Sequence, residues 1–211
     1  METKEQSRTR IGFSRMEKKY EWKDHVIFMG ILLATAVWVN RNIEIKGLYM
    51  DDLYFWSCYG EQSFLQYVFP MGSTRFRFLY YLAAWLEMAV VGNHVSWFVP
   101  INILLNGALA CYLYGIACRL SGAKAIGFFT GVMFLSSRMA YYQIGQVLGL
   151  METMALWMAT AILWHLYRYI NEDHRDSLFL KACLLYFGVC FVHERYMALF
   201  PLLILALVAV R

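Results

Sequence analysis

Apolar runs long enough to form helices, and holding few charges within them, leave this 211-residue chain few ways to fold. They are Val26–Val39, Phe78–Val91, Trp97–Cys118, Ala125–Leu135, Leu148–Tyr169, Leu178–Val192 and Met197–Val210, joined by short polar links. A soluble core built from such runs needs a charged shell, which this chain lacks. Hydrophobic residues make up 60% and charged residues 16%, against about 45–50% and about 25% in ordinary soluble domains. A helical membrane bundle needs charge only at its interfaces. The fold class read from the sequence is therefore all-α, a polytopic transmembrane helical bundle with interfacial helices in its first outer loop.

Residues 1–23 are polar, with Arg8, Arg10, Arg15, Lys18, Lys19 and Lys23 partly balanced by four Glu. The tail is too long for a signal peptide and no small-residue cleavage site follows, so the first apolar run reads as an uncleaved transmembrane helix, about Asp24–Asn40. Its basic flank places the tail in the cytoplasm, and the expected location is the plasma membrane, as a multi-pass integral protein. Residues 24–211 then form one transmembrane domain, with a first outer loop over about 43–77. In that loop Phe64, Leu65, Val68 and Phe69 recur at helical spacing, which predicts a short interfacial helix ended by Pro70 and Gly72. The net charge of +4 is largely a matter of topology, and no basic-aromatic pattern points to nucleic acid. Cys58, Cys111, Cys118, Cys183 and Cys190 form no C-x-x-C pair and read as small packing residues.

If every run crosses the membrane, the basic loops at Arg119/Lys124 and Arg168/Arg175 fall outside. If Phe78–Val91 instead dips in and returns, or lies at the interface, both loops become cytoplasmic and the positive-inside bias holds throughout. The second arrangement is preferred. It also turns Asp51/Asp52, Arg75/Arg77, Arg138–Gln146 and His193–Arg195 toward the same outer face.

Those outer residues are the candidates for chemistry. Asp51 and Asp52 differ by about 100° around a helix, so they cannot both serve one atom. One carboxylate can take a proton from a hydroxyl while its neighbour fixes a cation or a helix N-terminus, though plain capping explains the spacing equally well. Arg75 and Arg77 offer guanidinium forks to a phosphate, from a substrate or from a lipid. His193, Glu194 and Arg195 interrupt two apolar runs with three ionisable groups, which demand a polar cavity or the surface. Arg138, Tyr142 and Gln143 lie in a polar, aromatic stretch that has the composition of a sugar-binding surface or of an interfacial belt. Glu152 reads as hydrogen-bonded between helices.

The order of these parts resembles the N-terminal part of a GT-C type integral-membrane glycosyltransferase, the group that includes protein O-mannosyltransferases and aminoarabinose transferases. Met50-Asp51-Asp52-Leu53-Tyr54 opens the first outer loop. An interfacial helix follows, then Arg75-Phe76-Arg77-Phe78, then Val91-Gly92-Asn93-His94 before a long helix ending in Arg119-Leu120-Ser121-Gly122-Ala123-Lys124. The resemblance implies catalytic roles for Asp51 and Asp52, with Asp51 the base or acceptor orienter. It places a basic residue near Arg75 or Arg77 on the phosphate of a polyprenyl-phosphate sugar, and the same duty extends by position to Arg138, His193, Glu194 and Arg195. Tyr54, Tyr142 and Gln143 are the candidate contacts to sugar or acceptor. The proline-rich stretch common in the family before the basic residue is missing, and His193-Glu194-Arg195 has no assigned counterpart there.

The expected activity is thus transfer of a sugar from a polyprenyl-phosphate donor to a lipid, glycan or protein acceptor at the outer membrane face. Membrane lipids are the expected surroundings, and a divalent metal is an admitted but unassigned cofactor. The rival expectation is a non-enzymatic multi-pass protein, a transporter subunit or flippase-like lipid binder, whose ionisable groups would line a path near the midplane.

Overall fold

A computed structural model describes residues 22–48, 50–70, 75–92 and 94–210. The basic tail up to residue 21, and with it most of the cytoplasmic segment read from the sequence, lies outside the described residues, as do Gly72 and Asn93. The chain is all-helical, with 81% of residues in helix and no strand among those described. Its α-helices are α1 Trp22–Asn40, α2 Asp51–Cys58, α3 Phe64–Val68, α4 Phe78–Val91, α5 Phe98–Ser121, α6 Lys124–Leu135, α7 Arg138–Ile144, α8 Gly149–Arg168, α9 Asp176–Cys190 and α10 Phe200–Val210. The apolar runs become helices, and the polar links become their ends. Ser63 and Gln66 form a reciprocal capping box that starts α3. Gly122, at φ 70°, closes α5 in the left-handed conformation that suits glycine.

Side-chain pairs fix the directions of the long helices. Between α1 and α5, Tyr114 Oη meets His25 Nδ1 at 2.8 Å and Cys111 Sγ reaches the Met29 carbonyl at 3.7 Å. The partner numbers rise on one helix as they fall on the other, so the two run antiparallel. Lys124, just past α5, accordingly forms an ion pair with Asp24 at the start of α1. Between α5 and α8 the numbers rise together. Asn106 donates to Thr153 Oγ1 at 3.2 Å, Tyr112 stacks on Trp157 at 5.0 Å, and Arg119 sits 5.7 Å above Trp164. Helix α9 then returns alongside α8, which brings His193 back to Glu152 in the first turn of α8 at 3.3 Å.

Two ends of the bundle follow from these directions. One holds Asp24 and Lys124; the other holds the end of α1, the start of α5, the start of α8 and the end of α9. Helix α4 starts at this second end, because Arg77 reaches Glu194 and Met151. It also finishes there, because Met88 and Val91 cluster with Phe98 and Val147. Phe78–Val91 is therefore one unbroken helix with both ends at the same end of the bundle. The alternative of a segment that dips in and turns back is corrected: fourteen residues in a single helix leave no room for a reversal.

Only Val95–Ser121, which is α5 with its leading 3₁₀ turn, is long and apolar enough among the described residues to cross a membrane by length and composition; α4 and α6 are shorter apolar helices. Large apolar side chains nevertheless face outward along much of the bundle, among them Ile27, Val37 and Trp38 of α1, Phe129 of α6, Phe187 of α9 and Leu205 of α10. Some polar side chains lie inside. Asn102 and Asn106 are fully buried, and Asn102 Nδ2 donates to the Gln146 carbonyl at 3.0 Å.

Small residues let α6 approach its neighbours. A Cβ on Gly127 would stand 2.3 Å from Cys118 Sγ and 2.8 Å from the Tyr114 carbonyl oxygen, and one on Gly131 would stand 2.8 Å from Leu32. Four residues apart, they form the small-xxx-small face that close helix packing uses. Gly30 meets nothing within 4 Å. Gly127→Val is therefore expected to cost about 1–3 kcal/mol through overpacking, read as a lowered thermal midpoint in detergent, while Gly30→Val leaves the midpoint unchanged.

Candidate functional site

Asp51 and Asp52 begin α2 immediately after Met50, whose φ of 47° is unusual for a residue with a side chain. The sharp turn there sets the two carboxylates on different faces. Asp52 is buried and accepts the Leu148 N–H at 2.8 Å and the Val147 N–H at 3.3 Å. Those amides open α8, which has no side-chain cap of its own, so Asp52 supplies the missing anion at its positive end. Burial pushes the Asp52 carboxyl above its usual range, the two amides pull it back, and Asp51 adds a smaller upward push. The turn that presents these amides is tightly packed. A methyl on Gly149 would stand 1.7 Å from the Gln143 carbonyl oxygen.

Asp51 stays exposed and opens into a cleft of about 380 Å³. The facing wall comes from three other places in the chain. Arg75 and Arg77 lead into α4, Met151 and Glu152 stand in the first turn of α8, and His193, Glu194 and Arg195 link α9 to α10.

The two arginines two residues apart have different surroundings. Arg77 is buried and forms a fork with Glu194, Nε to Oε2 at 2.6 Å and Nη2 to Oε1 at 2.5 Å, while Nη1 points to Met151 Sδ at 3.3 Å. Its hydrogen-bonding capacity is largely committed within the protein. Arg75 is 59% exposed and lies 3.8 Å from Glu194; Arg195 is 69% exposed and lies 3.3 Å from Glu152. Exposed pairs of this kind are worth about 0–1 kcal/mol each. Arg75 and Arg195 are the cations a ligand can reach, and Arg77 holds the wall.

His193 is buried, and its Nδ1 accepts the Arg195 N–H at 3.3 Å. In the neutral ring this places the proton on Nε2, toward Glu152. Burial lowers the His193 pKa, with Arg195 and Arg77 acting in the same direction and Glu152 and Glu194 opposing. The Arg77 fork holds Glu194 down at about 2. Three arginines then face three carboxylates around a neutral imidazole, so the formal charges lining the cleft balance.

The other sequence candidates lie elsewhere. Arg138 is exposed and donates from Nη2 to Tyr142 Oη at 2.8 Å; Tyr142 lines a separate cavity. Gln143 is buried, so its amide cannot meet a ligand in the cleft, and its Oε1 has no partner among the described residues. Tyr54 borders a small void of about 50 Å³ with Cys58 and Gln62. The cleft instead includes Glu152, which the sequence reading left between helices. Its signal was an acid in the first turn of a long apolar helix. Among the described residues no group of three or more His, Cys, Asp or Glu side chains converges as a metal site.

Comparison with protein-family models, with curated proteins and with solved structures found no match to this chain.

His193 and Glu194 give a pH signature. His193 binds its proton less readily folded than unfolded, so its contribution is fully present above the ordinary value of 6.5 and is lost as pH falls below that toward the lower folded value. Glu194 contributes above its ordinary 4.5, and this is lost as pH falls toward about 2. The thermal midpoint of the wild type is expected to fall relative to that of His193→Gln as pH drops from 7 to 5.5, and relative to that of Glu194→Gln only below about 4.5. Parallel curves for wild type and His193→Gln would remove the buried neutral imidazole from the account.

Proposed function

We propose that the chain is a multi-pass plasma-membrane glycosyltransferase of the GT-C type, with its N-terminus in the cytoplasm and its cleft on the outer face. The donor is a polyprenyl-phosphate-linked sugar, and the acceptor is a hydroxyl of a lipid, glycan or protein. The observation that carries this reading is that Asp51, Arg75 and Arg195, from three separate stretches of chain, open into one cleft. A carboxylate beside two exposed guanidinium groups is what hydroxyl attack on a phosphate-linked carbon requires.

In this reading Asp51 takes the proton of the acceptor hydroxyl as its oxygen forms a bond to the anomeric carbon. The carbon–oxygen bond to the donor phosphate breaks, and the phosphate leaves with the electron pair. Arg75 and Arg195 stabilise the charge that grows on the departing oxygen, an effect worth a few kcal/mol where donors are preorganised. Attack opposite the leaving group inverts the anomeric centre. Asp52 keeps Asp51 in place by fixing the start of α8, and Arg77 acts as a positioning residue through Glu194.

The membrane setting is supported by the outward-facing apolar side chains and by the buried asparagines. The Asp24–Lys124 ion pair groups the first basic loop with the start of α1, as a cytoplasmic position for both requires. With both ends of α4 at the opposite end, α4 lies along the outer interface. The transporter reading relied on two acids, Glu87 and Glu152: Glu152 belongs to the cleft at one end of the bundle, and Glu87 lies on α4, both ends of which sit at that same end.

Asp51→Asn in the full chain is expected to lower transfer of a radiolabelled polyprenyl-phosphate sugar by about 10²–10⁴-fold, the usual loss for a general base, with donor binding retained. Unchanged transfer would remove Asp51 from the chemistry.

A further inference from the structure

A cavity larger than the charged cleft lies elsewhere in the described part of the chain. It has a volume of about 530 Å³, within the range of about 300–1,000 Å³ common for small-molecule sites. It lies where the end of α1, the link through Asn42, Glu44 and Lys46, the α6–α7 junction and α7 come together. Its lining differs in kind from that of the cleft. One carboxylate, Glu44, and one ammonium, Lys46, offset each other, and the other polar side chains are neutral: the amides of Asn40, Asn42 and Gln146, the hydroxyls of Ser136 and Ser137, and the phenols of Tyr141 and Tyr142.

We propose that this cavity binds an uncharged carbohydrate, a short run of pyranose units, at a site separate from the Asp51 cleft. A pyranose presents hydroxyls around its rim and a C–H face on its ring. Amides and a carboxylate suit the first, and an exposed aromatic face suits the second. Tyr141, 57% exposed, provides that face. Tyr142 stands nearly perpendicular to it, at 75° with ring centres 6.0 Å apart. Tyr142 is held in turn by Arg138, which donates to its hydroxyl at 2.8 Å and covers its ring at 5.2 Å. The platform is therefore set before a ligand arrives, which lowers the ordering cost of binding. Buried Leu135 supplies an apolar patch in the wall. The cavity holds a single cation, Lys46, whereas three guanidinium groups line the cleft, so a phosphate finds fewer donors of the forked kind here.

The site also adjoins the chemistry. Gln146 lines the cavity, the next two residues give their N–H groups to Asp52, and Met151 and Glu152 line the cleft. A glycan held here lies one short turn of chain from the candidate base. The assignment of the cavity does not depend on the transferase reading, because it uses none of the cleft residues.

The test is saturation-transfer NMR on the full chain, in a detergent without a sugar headgroup, with trisaccharides of glucose, mannose and N-acetylglucosamine and with inorganic phosphate as probes. At least one trisaccharide is expected to bind in the millimolar range. Tyr141→Ala and Ser136→Phe should each weaken that binding at least tenfold, while Arg75→Gln leaves it unchanged. Tyr141 and Ser136 are both exposed, and thermal midpoints equal to wild type check that folding is intact; if Ser136→Phe lowers the midpoint, Tyr141→Ala and Gln146→Ala decide. Binding of none of the three sugars, binding indifferent to the cavity variants, or a phosphate signal lost in those variants overturns the proposal. A transferase that survives Asp51→Asn does not.

Discussion

The ion pair between Arg77 and Glu194 joins residues 117 positions apart, and the cleft depends on it. It ties the start of α4 to the turn after α9, and through Met151 it touches the first turn of α8. Arg77 is almost fully buried, while Glu194 is 43% exposed. Burying an unpaired guanidinium is costly, and a short bidentate fork offsets that cost. Glu194 satisfies Arg77, and the neighbouring Arg75 and Arg195 stand far more exposed at the surface of the cleft. One committed cation thus holds the wall on which two accessible cations stand.

The helix directions place that wall at one end of the molecule. Antiparallel α1 and α5, parallel α5 and α8, and the return of α9 bring four chain segments to the same level. None of the residues that meet there are close in sequence, apart from those within each segment. Asp52 joins this end from the other side by capping α8, so the acidic pair and the cationic wall share one structural element. The two carboxylates serve different atoms, as their angular separation of about 100° requires.

Much of this was legible in the sequence, and the limits have physical causes. Apolar runs marked the helices because composition alone decides which segments need burial or lipid, although Met197–Val210 loses its first turn to a 3₁₀ segment over Glu194–Leu199. Asp51, Arg75 and His193–Arg195 were legible as unusual polar groups beside apolar runs. The difference between Arg75 and Arg77 was not, since residues of identical type two positions apart are separated only by what packs over them. Glu152 was read only as hydrogen-bonded between helices, because its partner His193 arrives across a helix pair whose register the sequence does not state. Arg138, Tyr142 and Gln143 were grouped with the cleft by topology alone; α7 carries Arg138 and Tyr142 to a different cavity and turns Gln143 inward.

The claim most exposed to test is that Arg75 and Arg195 receive a lipid-linked phosphate on a wall held by Arg77 and Glu194. Phosphorus-31 NMR of a short-chain polyprenyl phosphate, titrated into the full chain in nanodiscs, addresses it directly. A bound resonance is expected with wild type, lost in Arg75→Gln/Arg195→Gln and weakened in Glu194→Gln, which releases Arg77 from its fork. A bound resonance that is unchanged in the double variant, or absent from wild type, would contradict the account.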